Sequence, residues 1–370
     1  MKFKCVKKKI EYVLKNAEIF TGKNLDLPVL EGILLEVKKE GILCISSTNI
    51  DSTFYSEIPI VTKKEGKIVV LGDIFYKTIL NIQNEEIEIF LEEKILKIQS
   101  KNNNIELNIL DSNDFPSIIK IKDEKELINK IKILKNNFLN GLNSVIYAVS
   151  KSNIKPELSS VFINSFENNL FFVATDGFRL AEKKIEYKNN NEYSDFSTLI
   201  PSSFVFQIIK TFSNSESLDL IEIYFYKNQI FIKDKEYIIS SRIINGNYID
   251  YKKLIPVDID TSVIFLKQDF INVIKLTNIF SDEFNQISLE ILDNKFKIYT
   301  KNKIGRNNNT ISSIIKGKEL KMDFNHKFIQ DSLNSINNDS MEFIFNIGKP
   351  LLINSVGDKT FKYIIMPLSK

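Results

Sequence analysis

The stretch FKCVKKKIEYVLKNAEIF, Phe3 to Phe20, decides the fold because its pattern returns as IFLKQDFINVIKLTNIF, Ile264 to Phe280. A shift of 260 residues places Ile10 on Phe270 and Leu14 on Ile274. The apolar positions have the three-and-four spacing of one buried helix face, and a short strand precedes them. We assign to this face the pairs Val6 and Leu266, Ile10 and Phe270, Val13 and Val273, Leu14 and Ile274, Ile19 and Ile279, and Phe20 and Phe280.

A third version of the pattern lies between these two, at Ile131 to Val149. The segments that follow each version also correspond. Alternating apolar residues predict strands over 32–61, 159–187 and 286–315, and closing strands over 87–110, 220–244 and 341–366. A second helix is predicted to begin near Phe75, Phe204 and Phe328, with Asp73, Ser202 and Asn325 as N-caps. The asparagine runs 102–104, 189–191 and 307–309 are predicted to be hairpin tips.

This repeat predicts an α+β protein of three tandem domains, each with two helices packed on antiparallel sheet. Asp114-Phe115-Pro116 and Asp250-Tyr251 mark the joins between them. We therefore place the domains at 1–120, 121–253 and 254–370. A length of 370 residues accommodates three such domains.

The composition excludes several classes of protein. No long apolar run indicates a membrane span or a secretion signal, so we expect a cytoplasmic protein. Cys5 and Cys44 lie in apolar runs and are expected in the core. With His326 as the single histidine, we predict no metal site and no cofactor. A net charge of +3 does not by itself indicate nucleic-acid binding.

Two other functional classes fit the sequence less well. An enzyme would need a phosphate-binding glycine loop or a carboxylate cluster, and neither is evident among only 12 glycines. An interaction scaffold that does not bind DNA would lack lysines on the repeated helices, where several are present. We therefore expect a protein that is not an enzyme.

The whole chain resembles the bacterial β sliding clamp family. The resemblance is carried by Met1-Lys2-Phe3, by Leu27-Pro28-Val29-Leu30, by the segment from Val173 to Ala181, by Asp250-Tyr251 with Pro256, and by Tyr363 to Leu368. It implies a processivity factor of DNA polymerase III, in which two chains form a head-to-tail homodimer. Six similar domains would then close a ring around double-stranded DNA, with helices lining the hole.

The resemblance also implies two kinds of site. Diffuse positive charge in the hole would meet phosphates without reading bases. The candidates are Lys7, Lys8, Lys15, Lys23, Asn24, Lys77, Lys151, Lys155, Lys210, Lys275 and Lys327. Asn24 stands where the family often has Arg, while Asp73 and Ser202 occupy helix starts that are often basic, so individual contacts differ from the family's.

The second site is a pocket for a short peptide motif carrying a Gln and a Leu-Phe pair. The implied partners are the polymerase III alpha subunit, the clamp loader, other DNA polymerases and repair proteins. The corresponding residues are Leu158, Thr175, Gly177, Phe178, Arg179, Leu180, Ile249, Lys253, Leu254, Pro350, Met366, Pro367 and Leu368. Ile249, Lys253 and Ser369 depart from the family's usual Pro, Arg and basic residue. Without the resemblance, Thr175-Asp176-Gly177 is equally typical of a structural turn.

The resemblance also leads us to expect surfaces that join two chains. We predict that the first and third domains meet across the dimer. The candidates are Phe75, Ile79 and Leu80 on one side and Phe270, Ile271 and Leu276 on the other. A helix face packed in its own core would give the same pattern.

Overall fold

A computed structural model describes residues 1–23, 26–118, 121, 126–187, 195–213, 219–256, 258–281, 283–303 and 305–368. Its elements follow one order three times. The first series is β1 (Lys2–Val6), α1 (Lys7–Glu18), β2 (Gly32–Lys38), β3 (Ile42–Thr48), β4 (Ser52–Pro59), β5 (Val61–Lys64), β6 (Gly66–Leu71), α2 (Gly72–Asn81), β7 (Glu86–Glu92), β8 (Ile95–Gln99) and β9 (Asn104–Leu110).

The third series repeats this order, and the second repeats it with four described strands between its helices where the others have five. The second is β10 (Leu127–Leu134), α3 (Lys135–Asn143), β11 (Ser160–Phe166), β12 (Asn169–Thr175), β13 (Arg179–Glu186), β14 (Ser197–Pro201), α4 (Ser202–Phe212), β15 (Leu220–Tyr226), β16 (Gln229–Lys233) and β17 (Tyr237–Arg242). The third is β18 (Thr261–Leu266), α5 (Lys267–Ile279), β19 (Gln286–Leu292), β20 (Lys295–Lys301), β21 (Arg306–Ile311), β22 (Ser313–Gly317), β23 (Leu320–Asn325), α6 (His326–Ser332), β24 (Ser340–Phe345), β25 (Leu351–Ser355) and β26 (Asp358–Ile365).

Contacts group these elements into two compact units, and the second series is divided between them. Unit 1 is formed by described residues within Met1–Lys135 and Phe206–Ile243. Its thirteen-stranded sheet has the order β10-β15-β16-β17-β4-β3-β2-β6-β9-β8-β7-β1-β5. The first and second series join where β17 pairs antiparallel with β4, and Thr53 lies opposite Ser240. We call this strand pair the unit 1 seam.

Unit 2 is formed by described residues within Asn136–Lys188, Asp195–Val205 and Ile244–Lys370. It holds a nine-stranded sheet, β14-β11-β12-β13-β26-β25-β24-β18-β22, and a four-stranded sheet, β21-β20-β19-β23. The second and third series join where β26 pairs antiparallel with β13, and Leu180 lies opposite Ile364. We call this strand pair the unit 2 seam.

The helix faces were predicted correctly at their centres and wrongly at their ends. Ile10, Leu14 and Phe270 are buried, as are Phe138, Leu142 and Val145. Val6 and Leu266 are instead 46% and 52% exposed, because each is the last strand residue, and Ile279 is 66% exposed at a helix end. Asn325 is the predicted N-cap and accepts the Lys327 N–H, whereas Leu71 rather than Asp73 caps α2.

Loop tips were also predicted in part. Asn103 lies in the turn before β9, where its carbonyl accepts the Ser100 N–H. Asn307–Asn309 were wrongly placed, because they lie inside β21 and pair with β20. The run 189–191 lies outside the described residues.

Both cysteines are buried and free, as expected of core residues. Burial raises the pKa of the Cys5 thiol to about 12, so it stays protonated and unreactive. In the described ranges no group of three or more His, Cys, Asp or Glu is arranged to hold a metal. No described helix is long and apolar enough to cross a membrane.

Candidate docking groove and nucleic-acid interface

An apolar cluster lies along the unit 2 seam, and we call the surface over it the docking groove. Its floor is a cluster of buried side chains supplied by β12, β13, β24, β25, β26 and the segment after Asp250: Val173, Leu180, Tyr251, Ile344, Leu352 and Ile364. Phe162 and Tyr248 pack against it as a parallel stack, with ring centroids 4.6 Å apart. Burial raises the pKa of Tyr248 and of Tyr251 well above the ordinary value, so both hydroxyls are neutral at pH 7.

Large apolar side chains stand exposed around this docking groove. Phe178 is 65% exposed, Leu254 46%, Met366 45% and Ile249 38%. Exposed apolar residues that adjoin an apolar floor are typical of a protein-binding surface rather than of a solvated one. The groove therefore offers sockets for apolar anchors of a partner.

The turn from Thr175 to Arg179 forms one end of the groove and is held by its own side chains. Asp176 Oδ1 accepts the N–H groups of Phe178 and Arg179, at 2.9 and 3.1 Å. Thr175 is buried, and its hydroxyl donates to the Arg179 carbonyl at 2.6 Å. Gly177 has φ +91, which favours glycine. A Cβ there would meet nothing within 4 Å, so the positive φ, and not a close approach, requires this glycine.

Arg179 is fixed inside unit 2 and does not face the groove. It is 7% exposed. Its guanidinium donates to Asp176 at 2.9 Å, to the Tyr147 carbonyl at 2.7 Å and to Asp331, and lies 4.5 Å from the Phe328 ring centroid. These contacts give Arg179 and Thr175 a structural role in the turn. Their assignment as peptide contacts stays a prediction.

The other predicted residues are placed as follows. Leu180 lies in the groove floor, and Phe178, Ile249, Leu254 and Met366 lie around it. Lys253 is exposed and pairs with Asp250 at 2.7 Å. Leu158, Pro350, Pro367 and Leu368 are half-buried, and the Leu368 N–H donates to the Asp323 carbonyl. Ser369 lies outside the described residues.

Sequence reasoning missed most of the floor. Val173 opens the recognised motif but was not named, and Ile344, Leu352, Ile364, Phe162 and Tyr248 were not considered. The available signal was strand alternation, which places Ile344 and Ile364 on one face of their strands. The pairing of β13 with β26 brings them to Leu180, and that pairing was not predicted.

Most candidate lysines are exposed, and two pair with a described carboxylate of their own unit. Lys7 donates to the Leu80 carbonyl at 3.1 Å and pairs with Glu11 at 2.6 Å, which gives it a structural role, and its contact with DNA stays a prediction. Lys77 is exposed but pairs with Asp73 at 2.8 Å. The exposed candidates without an ion pair to another described residue are Lys8, Lys23, Lys151, Lys155, Lys275 and Lys327, and Lys15 and Lys210 are also exposed. Asn24 lies outside the described residues.

The predicted dimer contacts are buried in part. Phe75, Ile79 and Phe270 are fully buried within their own units and cannot contact a second chain. Leu80 and Leu276 are 42% and 49% exposed. An apolar groove of about 420 Å³ lies beside α2, between Ile74, Ile82 and Ile105.

Comparison with known proteins gives one consistent match. Family models of the DNA polymerase III beta subunit match residues 1–119 as its N-terminal domain, 132–250 as its central domain and 252–369 as its C-terminal domain. The chain is 27% identical to the beta sliding clamp of Buchnera aphidicola subsp. Rhopalosiphum padi over 361 residues, 94% of each chain. It is 26% identical to that of Streptococcus pneumoniae TIGR4 over 358 residues, 92% of each.

The fold matches as well. The structure of the sliding clamp from Bacillus subtilis superposes with a TM-score of 0.93 at 23% identity, covering 100% of this chain and 99% of that one. At this identity the likeness shows the fold alone.

Proposed function

The chain belongs to the DNA polymerase III beta subunit family, the beta sliding clamps, and from this membership we propose that two copies close a ring around duplex DNA. Its function is that of a processivity clamp, an accessory subunit with no catalytic activity of its own. The observation that carries this is the match of all three family domains, in order, to a chain built as three repeats. We place its action in the cytoplasm.

Ring closure needs two free sheet edges, and the described chain offers them. In unit 1, β9 pairs fully with β8, but it meets β6 only at Ile109 and Leu110. In unit 2, β21 ends the four-stranded sheet and pairs only with β20. Pairing β9 of one chain with β21 of another hides both edges. Applied twice, this heterologous contact closes a two-chain ring.

The repeat also predicts how these edges align. The fourth strand of each series begins at Ser52, Arg179 and Arg306, which are 127 residues apart (179 − 52 and 306 − 179). Thr53, Leu180 and Asn307 are therefore equivalent.

The last strands are aligned through their pairings. The first helix of each series begins at Lys7, Lys135 and Lys267, and the residues five positions earlier are Lys2, Lys130 and Ser262. From these three residues, three successive strand pairings lead to Glu106, Ser240 and Ile364, respectively. Since Ser240 faces Thr53 and Ile364 faces Leu180, we propose that Glu106 faces Asn307 of the second chain.

Cysteine pairs test this register. Glu106→Cys with Asn307→Cys places two Cβ atoms opposite each other on one face, within disulfide range. Oxidation should give a covalent dimer in high yield. Glu106→Cys with Asn308→Cys is the matched control, because neighbouring residues point to opposite faces. Equal yields from both pairs would contradict the register.

DNA contact rests on the lysines that remain available. We propose that Lys8, Lys15, Lys23, Lys151, Lys155, Lys210, Lys275 and Lys327 give the hole its positive charge, with Asn24 and Lys77 contributing beside them. Lysine is a flexible, hydrated point charge, which suits contact with phosphates during sliding. Replacing Lys151 and Lys155 by Ala should weaken binding to duplexes of any sequence alike.

The docking groove is proposed to bind the partners' peptide motif of a Gln and a Leu-Phe pair. The polymerase III alpha subunit, the clamp loader, other polymerases and repair proteins would share it. The groove floor offers apolar sockets, and Phe178 and Met366 can close over a bound side chain.

Peptide titration tests the groove. Phe178→Ala with Met366→Ala should weaken a labelled Gln/Leu-Phe peptide by about 30-fold or more, the loss expected of anchor residues. Phe284→Ala, which removes a ring 66% exposed elsewhere in unit 2, is the matched control and should have no effect. Equal effects from both would place the peptide site elsewhere.

The clamp function itself is tested by topology. The protein is loaded onto a nicked circular duplex with a clamp loader and ATP, and the complex is passed through a sizing column. Retention on the circle with loss after linearising supports a sliding ring. Equal retention on circle and line would mean ordinary electrostatic binding and would reject it. A single 42.8 kDa chain in solution would favour the scaffold alternative.

A further inference from the structure

A groove of about 750 Å³ in unit 2 is lined by carboxamides from two helical segments. The residues are Asn136, Asn140 and Asn143 of α3 and Gln330, Asn334 and Asn337 in and after α6. The α3 set has the spacing i, i+4, i+7 and so forms one stripe of a helical face, while Asn334 lies in the 3-10 turn after α6 and Asn337 just beyond that turn. All six side chains are exposed. We call this cleft the amide groove.

The amide groove is built as a site and is not a gap between loops. Ser335 Oγ donates to the Ser144 carbonyl at 3.2 Å and ties its two sides together. Leu139, Ile146 and Tyr147 form part of its lining. Its one charged lining residue, Asp331, is already paired with Arg179. The groove thus presents hydrogen-bonding groups on a framework without free charge.

The groups that line the amide groove limit which ligands it can bind. A metal cation needs carboxylates, and the single one present is neutralised by Arg179. A free phosphate or other small anion needs a cation, and none lines the groove. Carboxamides carry two N–H donors and one acceptor each, which suits a row of phosphate and sugar oxygens. Lys327 at the start of α6 is the nearest candidate for positive charge along the chain.

We propose that the amide groove holds the sugar–phosphate backbone of the encircled DNA through uncharged hydrogen bonds. This rests on the proposed function, in which these helices face the hole. Amide contacts exchange readily with water and release no counterions, so they position the duplex without adding electrostatic friction. The lysines attract the DNA by their charge, and the amides position its backbone by hydrogen bonds.

Salt dependence distinguishes the two kinds of contact. Binding of a short linear duplex is measured by fluorescence anisotropy over a series of salt concentrations. A variant with Asn136→Ala, Asn140→Ala, Asn334→Ala and Asn337→Ala should lose about 3- to 10-fold in affinity at every salt concentration, as the removal of neutral hydrogen bonds predicts. The slope of log K against log salt should not change. Lys151→Ala with Lys155→Ala should instead reduce that slope by about 0.9 for each phosphate that is no longer neutralised.

Two further variants complete the test. Asn137→Ala removes an exposed amide about 100° around α3 from Asn136 and should bind as the wild type does. Asn140→Asp with Asn334→Asp keeps the shape, adds charge, and should weaken binding more than the alanine set. Alanine favours helix, so folding is retained.

The outcomes separate this proposal from the clamp function. Unchanged affinity in the four-alanine variant, or a loss that comes with a changed slope, overturns the amide groove as a neutral contact. Every variant should still be retained on a nicked circle after loading. If the wild type itself fails that retention, it is the clamp function that fails.

Discussion

The two seams have the same backbone and different side chains. On one face of the seam and of its neighbouring strand, unit 1 has Ser46, Thr53 and Ser240; at the corresponding positions, unit 2 has Val173, Leu180 and Ile364. Thr53 and Ser240 share a hydrogen bond of 2.5 Å. Their counterparts form the floor of the docking groove.

The paired strands therefore set where a docking site can form, and their side chains decide whether it binds a partner. Tyr224 and Phe231, which correspond to Ile344 and Leu352, are aromatic, so among these five pairs of positions unit 1 is polar only at the three in and beside the seam. The two hydroxyls hydrogen-bond to each other, so they provide no apolar surface for a partner. At an apolar cluster, binding of a partner removes further apolar surface from water, and this burial favours the complex.

The two units also differ in a charged pair, and this gives the largest expected effect. In unit 1, Lys135 and Asp234 form a pair at 2.5 Å, with side chains 2% and 6% exposed. Asp234→Ala removes the carboxylate partner of a buried ammonium and should cost about 3–5 kcal/mol of unfolding free energy, measured by urea titration. In unit 2, the Asp331 partner of Arg179 is 43% exposed, so Asp331→Ala should cost clearly less. A larger cost at Asp331 would contradict this ranking.

Converting the unit 2 seam to the polar type is the next largest effect. Leu180→Thr with Ile364→Ser reproduces the unit 1 residues and should weaken the Gln/Leu-Phe peptide by about 100-fold. The dimer should persist, since neither residue belongs to the proposed ring contacts, whereas loading should fall with peptide affinity because the clamp loader is proposed to use the same groove. Peptide affinity within about threefold of the wild type would show that these two positions do not make the groove.

Arg179→Lys gives a smaller effect on the same seam. Lysine keeps the charge but cannot donate together to Asp176, Asp331 and the Tyr147 carbonyl. The turn that carries Phe178 should loosen, and peptide affinity should fall about 5- to 10-fold, the value of one ordinary hydrogen bond. Because Arg179 does not reach the groove, this decrease should be the same for peptides with and without an acidic residue. A decrease confined to acidic peptides would mean direct contact.

The reverse conversion should have the smallest effect. Thr53→Leu with Ser240→Ile makes the unit 1 seam apolar, but no residues equivalent in exposure to Phe178 and Met366 are supplied. We expect calorimetric titration to give one peptide per chain, as in the wild type. Two peptides per chain would show that an apolar strand pair is sufficient for docking.

The repeat could be predicted from sequence because burial recurs with the period of the chain. Phe138, Leu142 and Val145 were placed correctly, since helix faces leave a three-and-four pattern. Strand pairing between successive series leaves no such pattern, which is why Ile344 and Ile364 were missed. The motif identified Arg179 and Thr175, but not that both point into the protein. Tertiary hydrogen bonds decide that, and no local spacing encodes them.

The most direct test of the ring is to lock it on DNA. The Glu106→Cys, Asn307→Cys protein is loaded onto a nicked circular duplex, oxidised, and denatured in SDS. Two disulfides would then close a covalent ring, and we predict that protein stays linked to the circle until the DNA is linearised or the disulfides are reduced. Protein that leaves the circle on denaturation despite full oxidation, or that stays equally on linear DNA, would contradict encirclement through β9 and β21.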